Sequence, residues 1–195
     1  MSSVQAEKKA LRSKMMQIRR AMSAEQKAAA DAAITALVMQ QPEFSAAKKV
    51  FAYVSMPHEV GTQALLQGIL DAGKTLGLPV CSPQTHTLTF YRLDSLRELH
   101  GGMYRIPVPP VSEDRLLTPD AETLVLVPML AIDREGWRLG AGGGYYDRFL
   151  AAYGDTVQVL GICYAENCVT AVPHGQYDKP ILCCITEQKR EEHNG

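Results

Sequence analysis

The stretch Val127-Pro128-Met129-Leu130-Ala131-Ile132-Asp133, continuing through Arg138-Leu139-Gly140-Ala141-Gly142-Gly143-Gly144-Tyr145-Tyr146-Asp147-Arg148, decides how this chain reads. It begins at the end of Thr123-Leu124-Val125-Leu126-Val127, the most strand-like run in the sequence, and leads into a helix at about residues 143–153. A buried strand, a glycine-rich turn and a helix in that order are the ingredients of an open α/β sheet, where ligands sit at the carboxyl ends of strands. Glycines let backbone N–H groups approach a phosphate, and a helix N-terminus adds positive potential. The turn matches neither common phosphate motif. No Gly-Lys-Ser or Gly-Lys-Thr closes it, and Gly140-x-Gly142 does not complete a dinucleotide fingerprint because the sixth position is Tyr145. On these residues alone the turn is either a phosphate cradle or a tight connection.

The flanking pattern agrees with an α/β sheet. Leu11, Met15, Ile18 and Met22 share one face of a helix over residues 7–22, with Lys8, Lys9, Arg12, Lys14, Arg19 and Arg20 on its other faces. Ser23 is placed to cap a second helix, with Gln26 as its capping-box partner, and Pro42 ends it. Residues 49–54 read as a buried strand, Thr62 to Ala72 as a helix closed by Gly73, and Leu78–Cys81 and Thr87–Leu93 as strands. Residues 94–122 read as irregular connections, Thr156–Ile162 and Ile181–Ile185 as further strands. Strands alternating with helices predict an α/β fold with a mostly parallel central sheet and helices on both faces, a three-layer sandwich. The whole chain, 1–195, is expected to form one domain.

Hydrophobic residues make up 46% and charged residues 21%, an ordinary globular balance that excludes disordered tails and small disulfide scaffolds. Twenty basic and 21 acidic side chains leave a net charge of -1, which disfavours a nucleic-acid partner. There is no apolar run of membrane-spanning length and no secretory signal near Met1. The five cysteines, Cys81, Cys163, Cys168, Cys183 and Cys184, form no C-x-x-C pair and read as reduced thiols of a cytoplasmic protein.

The glycine stretch resembles the signature of the 5-formyltetrahydrofolate cyclo-ligase family, also called methenyltetrahydrofolate synthetases. The likeness extends along the chain. Lys8-x-x-Leu11-Arg12 is similar to that family's first helix, Tyr53-Val54-Ser55-Met56-x-x-Glu59-Val60-x-Thr62 to the segment after its first strand, and Val172-Pro173, Asp178 and Ile185-Thr186 to its C-terminal block. The resemblance implies an ATP- and magnesium-dependent closure of a formyl-folate to a methenyl-folate, with release of ADP and phosphate. It implies small-molecule substrates only, with no nucleic acid, membrane or obligate protein partner.

By that resemblance Lys8, Lys9, Ala10, Leu11 and Arg12 lie along the nucleotide, as do Arg138, Leu139, Gly140, Ala141, Gly142, Gly143, Gly144, Tyr145 and Tyr146. Val54, Glu59 and Ala141 to Tyr145 correspond to folate-binding positions, Arg138 and Tyr145 to the reacting centre, and Asp147 and Asp178 to magnesium-linked carboxylates. On spacing alone Lys8 and Arg12, one turn apart, are equally a solvated basic face, and Glu59 a helix-start acid. Three positions depart from the family's usual residues: Gly61, where an acid is frequent, Leu182, where an Asp is frequent, and Tyr177, where a His is common. His58 reads as loop filler, and His86, His100, His174 and His193 lack metal-ligand spacing. Cys183-Cys184 reads as strand packing, and Trp137 as packing or a pocket wall beside the turn. Two alternatives stay open at this point, a non-catalytic folate- or nucleotide-binding regulator and a different ATP-using enzyme on the same scaffold.

Overall fold

The computed structural model describes residues 3–102 and 106–193. Ten strands are present among the described residues: β1 (Lys49–Phe51), β2 (Thr75–Ser82), β3 (Thr87–Leu93), β4 (Leu116–Leu117), β5 (Thr123–Pro128), β6 (Ala131–Ile132), β7 (Arg138–Leu139), β8 (Gln158–Ile162), β9 (Cys183–Ile185) and β10 (Arg190–Glu192). Eight of them form one sheet in the order β10-β9-β8-β5-β1-β2-β3-β4. The pairings β9–β8, β8–β5, β5–β1 and β1–β2 are parallel; β2–β3, β3–β4 and β9–β10 are antiparallel and close the two edges. The centre of the sheet is fully buried, as the unbroken apolar run of β5 requires of a parallel strand covered on both faces.

Among the described residues five α-helices accompany the sheet: α1 (Ser3–Ala21), α2 (Ala24–Met39), α3 (Pro42–Ala46), α4 (Gln63–Asp71) and α5 (Tyr145–Tyr153). Ser23 caps α2 through the expected reciprocal bonds with Gln26. Ile34 and Val38 of α2 and Leu65, Leu66 and Ile69 of α4 pack on one sheet face with Val50, Leu76, Leu124 and Leu160. Phe149 and Leu150 of α5 pack on the other with Phe51, Phe90 and Val125. The three layers are therefore α2/α4, sheet and α5, as the pattern predicts.

Three differences from the sequence reading matter for the site. A two-stranded hairpin, β6–β7, stands between β5 and the glycine turn, so the turn does not follow the central strand directly. Helix α5 begins at Tyr145 rather than 143, because Gly144 sits in the left-handed region at φ 67° as its N-cap. The stretch 94–122, of which residues 103–105 lie outside the described residues, carries two short 3₁₀ turns and the edge strand β4.

Helix α1 belongs to neither outer layer. Met15 packs with Ala131, Leu139 and Val172 against the β6–β7 hairpin, while Leu11 and Ile18 are only partly covered. The residues of α1 that are buried are Lys8, Met15 and Arg19. The covered stripe thus runs along 8, 15 and 19, with the half-buried Arg12 between, and carries basic groups inward, where the apolar periodicity placed them outward.

Candidate active site

Strand β1 pairs with β2 on one side and β5 on the other, so the strand order reverses between β1 and β5. A crevice opens at the carboxyl ends of strands at such a switch point. Three segments leave the sheet there: residues 52–62 after β1, the β6–β7 hairpin with the glycine turn after β5, and residues 163–168 after β8. Helix α1 lies across the second and third.

Asp133 shapes the hairpin. Its Oδ1 accepts from the backbone N–H groups of Glu135 and Trp137, both at 3.0 Å, and its Oδ2 from that of Val172 at 2.8 Å. This holds β7 so that Arg138 points inward, 5% exposed. Arg138 Nη2 donates to Asp147 Oδ1 at 2.8 Å, and its Nε is buried with no partner among the described residues. Burial lowers the affinity of this guanidinium for its proton, and Asp147 opposes that.

The glycine turn follows. Gly142 has φ 113°, a conformation that residues with a side chain rarely adopt, and a Cβ there would come 3.4 Å from Arg12 Cζ. Arg12 Nε donates to the carbonyl of Gly140 at 2.9 Å. Lys8, buried, donates to Asp178 Oδ1 at 2.6 Å. Lys9 and Ala10 are exposed, and Leu11 turns towards the hairpin. The structure therefore brings Lys8, Arg12 and Arg138 together around the turn, each already bonded to an acceptor.

The two carboxylates also converge. Asp147 Oδ1 accepts from the backbone N–H of Lys179 at 3.2 Å, which puts Asp178 in the segment next to it. Both carboxylates act on the Arg138 guanidinium, and oxygen donors of this type suit a hard divalent cation that takes its remaining ligands from phosphate and water. Among the described residues no group of three or more His, Cys, Asp or Glu side chains could hold a metal ion without such help.

Glu59 sits in the loop after β1. Its Oε2 accepts from the Met56 N–H at 2.8 Å, and burial pushes its carboxyl up, against the effect of that bond and of Arg19. Thr62 Oγ1 donates to the Tyr53 carbonyl at 2.7 Å and closes the loop. Val54, half-buried, lines its start. The hydroxyl of Tyr146 is buried near Glu59 with no partner among the described residues, and burial raises its pKa. Tyr145, half-buried, has the ring of His86 at 5.6 Å, so the tip of the β2–β3 hairpin reaches the glycine turn.

Several residues of this region carry no sequence signal. Asp31 of α2 accepts from the Gly61 N–H at 2.8 Å and from the Tyr164 hydroxyl at 2.7 Å. Its Oδ2 lies 2.4 Å from where a Cβ on Gly61 would stand. A carboxylate from another helix thus fills the space beside the departure at Gly61. Arg19, placed by its pattern on the polar side of α1, is 5% exposed and reaches the loop carrying Glu59. His58 lends its backbone carbonyl to that contact. Trp137 is half-buried and stacks on His174 with centroids 3.7 Å apart. Leu182 and Tyr177 are exposed at 59% and 79%, and Cys183 and Cys184 are buried in β9 as expected of strand packing. The five cysteines are free thiols. No described helix is long and apolar enough to cross a membrane.

The chain is similar to known proteins along most of its length. The model of the 5-formyltetrahydrofolate cyclo-ligase family matches residues 4–187. The 5-formyltetrahydrofolate cyclo-ligase of Escherichia coli K12 is 30% identical over 176 residues, covering 89% of this chain and 96% of the relative. That of Haemophilus influenzae is 29% identical, covering 88% and 93%. The NMR structure of Aquifex aeolicus 5,10-methenyltetrahydrofolate synthetase superposes with a TM-score of 0.80 at 29% identity, covering 96% of this chain and 93% of the other. A family match of that extent, joined by relatives aligned along nearly their whole length, establishes that the chain is an enzyme of the 5-formyltetrahydrofolate cyclo-ligase family.

Proposed function

We propose that the protein converts 5-formyltetrahydrofolate to 5,10-methenyltetrahydrofolate with consumption of ATP, in the presence of magnesium, in the cytoplasm. The observation that carries this reading is the meeting of three basic side chains, Lys8, Arg12 and Arg138, at a glycine turn beside the Glu59 loop. One half suits a polyphosphate and the other a ring that donates hydrogen bonds.

The chemistry requires both. A formamide oxygen is a poor leaving group. Its attack on the γ-phosphate of ATP forms a C–O–P linkage and expels ADP. The neighbouring amine nitrogen outside the pterin ring then attacks the activated carbon, loses its proton, and phosphate leaves with the former formyl oxygen. Catalysis of such a transfer is mostly alignment and charge neutralisation. Lys8 and Arg12 hold the phosphates from α1, and the N–H groups of Gly140 to Tyr146 approach them from the turn. Arg138 stabilises charge on the transferring phosphoryl group, and Tyr145 orients the formyl end of the folate. Val54 and Glu59 hold the pterin, with the Glu59 carboxylate accepting from its N–H groups. Were Lys8 and Arg138 to pair with phosphate oxygens in the bound state, Asp178 and Asp147 would be the carboxylates to hold magnesium. That ion would supply Lewis-acid neutralisation of the β- and γ-phosphates.

The test is the near-ultraviolet absorbance of the methenyl product. Purified protein should generate it from 5-formyltetrahydrofolate only with both ATP and magnesium present. Product without ATP, or none with both, refutes the reading.

A further inference from the structure

Arg19 has no part in the chemistry above, yet it is the most heavily bonded cation in the crevice. Its Nε donates to Asn167 Oδ1 at 3.1 Å, its Nη1 to the carbonyl of His58 at 3.2 Å, and its Nη2 to the carbonyl of Met129. Its Cζ lies 5.6 Å from the centre of the Tyr164 ring. The three acceptors belong to the three segments that leave the sheet at the switch point. His58 adjoins Glu59, Met129 lies just after β5 where the chain sets off towards the glycine turn, and Asn167 follows β8.

Packing alone does not call for such a residue. Met15, one turn earlier on the same stripe, is 1% exposed and fills its space with apolar atoms. Burying a guanidinium is costly unless every arm is satisfied, and a planar fork is the group that can meet three fixed acceptors at once. The same helix stripe carries Arg12, seven residues earlier and about 10 Å along the axis.

We infer that Arg19 is a positioning residue that ties the nucleotide-binding helix to the folate loop, holding Glu59 in register with the glycine turn. The inference rests on the proposed folate reading of Glu59. The loop is secured from the far side as well. The Tyr164 hydroxyl donates to Asp31 at 2.7 Å with the Glu59 carbonyl 3.1 Å from the same oxygen, and Asp31 accepts from the Gly61 N–H. Arg19 is the member of this set that reaches all three segments from α1. Its loss should loosen Glu59 without touching Lys8 or Arg12.

The experiment uses direct titrations of the full chain with 5-formyltetrahydrofolate and, separately, with magnesium-ATP. Arg19→Lys keeps a charge but cannot span three acceptors. It should weaken folate binding roughly tenfold, the order expected for one lost buried charged hydrogen bond, and leave the ATP constant unchanged. In a Glu59→Gln background the same substitution should add no further folate loss, because both changes then act on one contact. Should Arg19→Lys fail to fold, Asn167→Ala removes only the Nε acceptor and should show a smaller shift of the same kind. A lowered melting temperature with both constants unchanged, equal losses for both ligands, or additive losses with Glu59→Gln overturns the inference. The proposed activity is judged apart from it, by whether the unaltered protein forms methenyl-folate at all.

Discussion

Asp147→Asn separates the two readings of the Arg138–Asp147 pair. The substitution keeps the shape and the oxygen that accepts from Arg138 Nη2 at 2.8 Å and from the Lys179 N–H at 3.2 Å. What it removes is charge. A hydrogen bond between charged groups contributes about 1.5–3 kcal/mol, roughly twice a neutral one. Losing the charge while keeping the contact should therefore cost about 1–1.5 kcal/mol. The Asp147 side chain is 20% exposed, so water can reach the new amide, and the buried Arg138 still feels the charge of Asp178. The lower half of that range is the better expectation. For a chain of this length each kcal/mol moves the melting temperature by about 2–4 °C, which gives a drop of about 2–5 °C. The functional effect should be larger. If Asp147 holds magnesium with the nucleotide, the variant needs more magnesium for half-maximal rate and turns over more slowly even when saturated. The assay is a magnesium titration of methenyl formation at saturating ATP, alongside a thermal melt. A variant that melts lower but keeps the parent's magnesium dependence and rate refutes the metal role, and leaves the pair as a brace for the hairpin.

Three further outcomes follow from the same geometry. Arg12→Ala should raise the ATP requirement by about 1.5–3 kcal/mol, roughly tenfold to a hundredfold, with little change in melting, since the residue is half-buried and bonds one carbonyl; an unchanged Michaelis constant for ATP would make that face merely solvated. Glu59→Gln should weaken folate binding, leave ATP binding alone and raise the melting temperature at neutral pH. The sign follows from burial, which lifts the folded carboxyl above its unfolded value, so the ionised form costs stability above the folded pKa and the gain from Gln fades as pH falls below both; a variant that melts lower at neutral pH contradicts this. Gly142→Ala forces a side chain into φ 113° beside Arg12, a strain of about 1–3 kcal/mol. It should depress ATP binding more than folate binding in paired titrations, and an unaffected variant would show that the turn adapts.

The order of strands and helices was written in local pattern. The apolar run of β5, the Ser23–Gln26 capping box and the glycine turn each depend on neighbours within a few residues, and each formed where the pattern put it. The basic pair Lys8 and Arg12 was visible as a spacing. Even there, its meaning came from the tertiary fold, because the same spacing describes a solvated face. What local pattern could not contain was the partner. Arg19 is bonded to Met129 and Asn167, 110 and 148 positions away, and looked like one more surface cation. Asp31 came to lie under Gly61 because α2 and the β1 loop meet on one side of the sheet. The β6–β7 hairpin, with two residues in each strand, is too short to show a period and is made by the Asp133 carboxylate bonding across it. Strand β10 is charged throughout and forms by pairing with buried β9, which no alternation of its own announces. Sequence determines which segments bury a face, since burial follows the period of apolar side chains. Which buried polar group meets which acceptor is decided only when distant segments pack, because a hydrogen bond depends on a geometry that spacing along the chain does not encode.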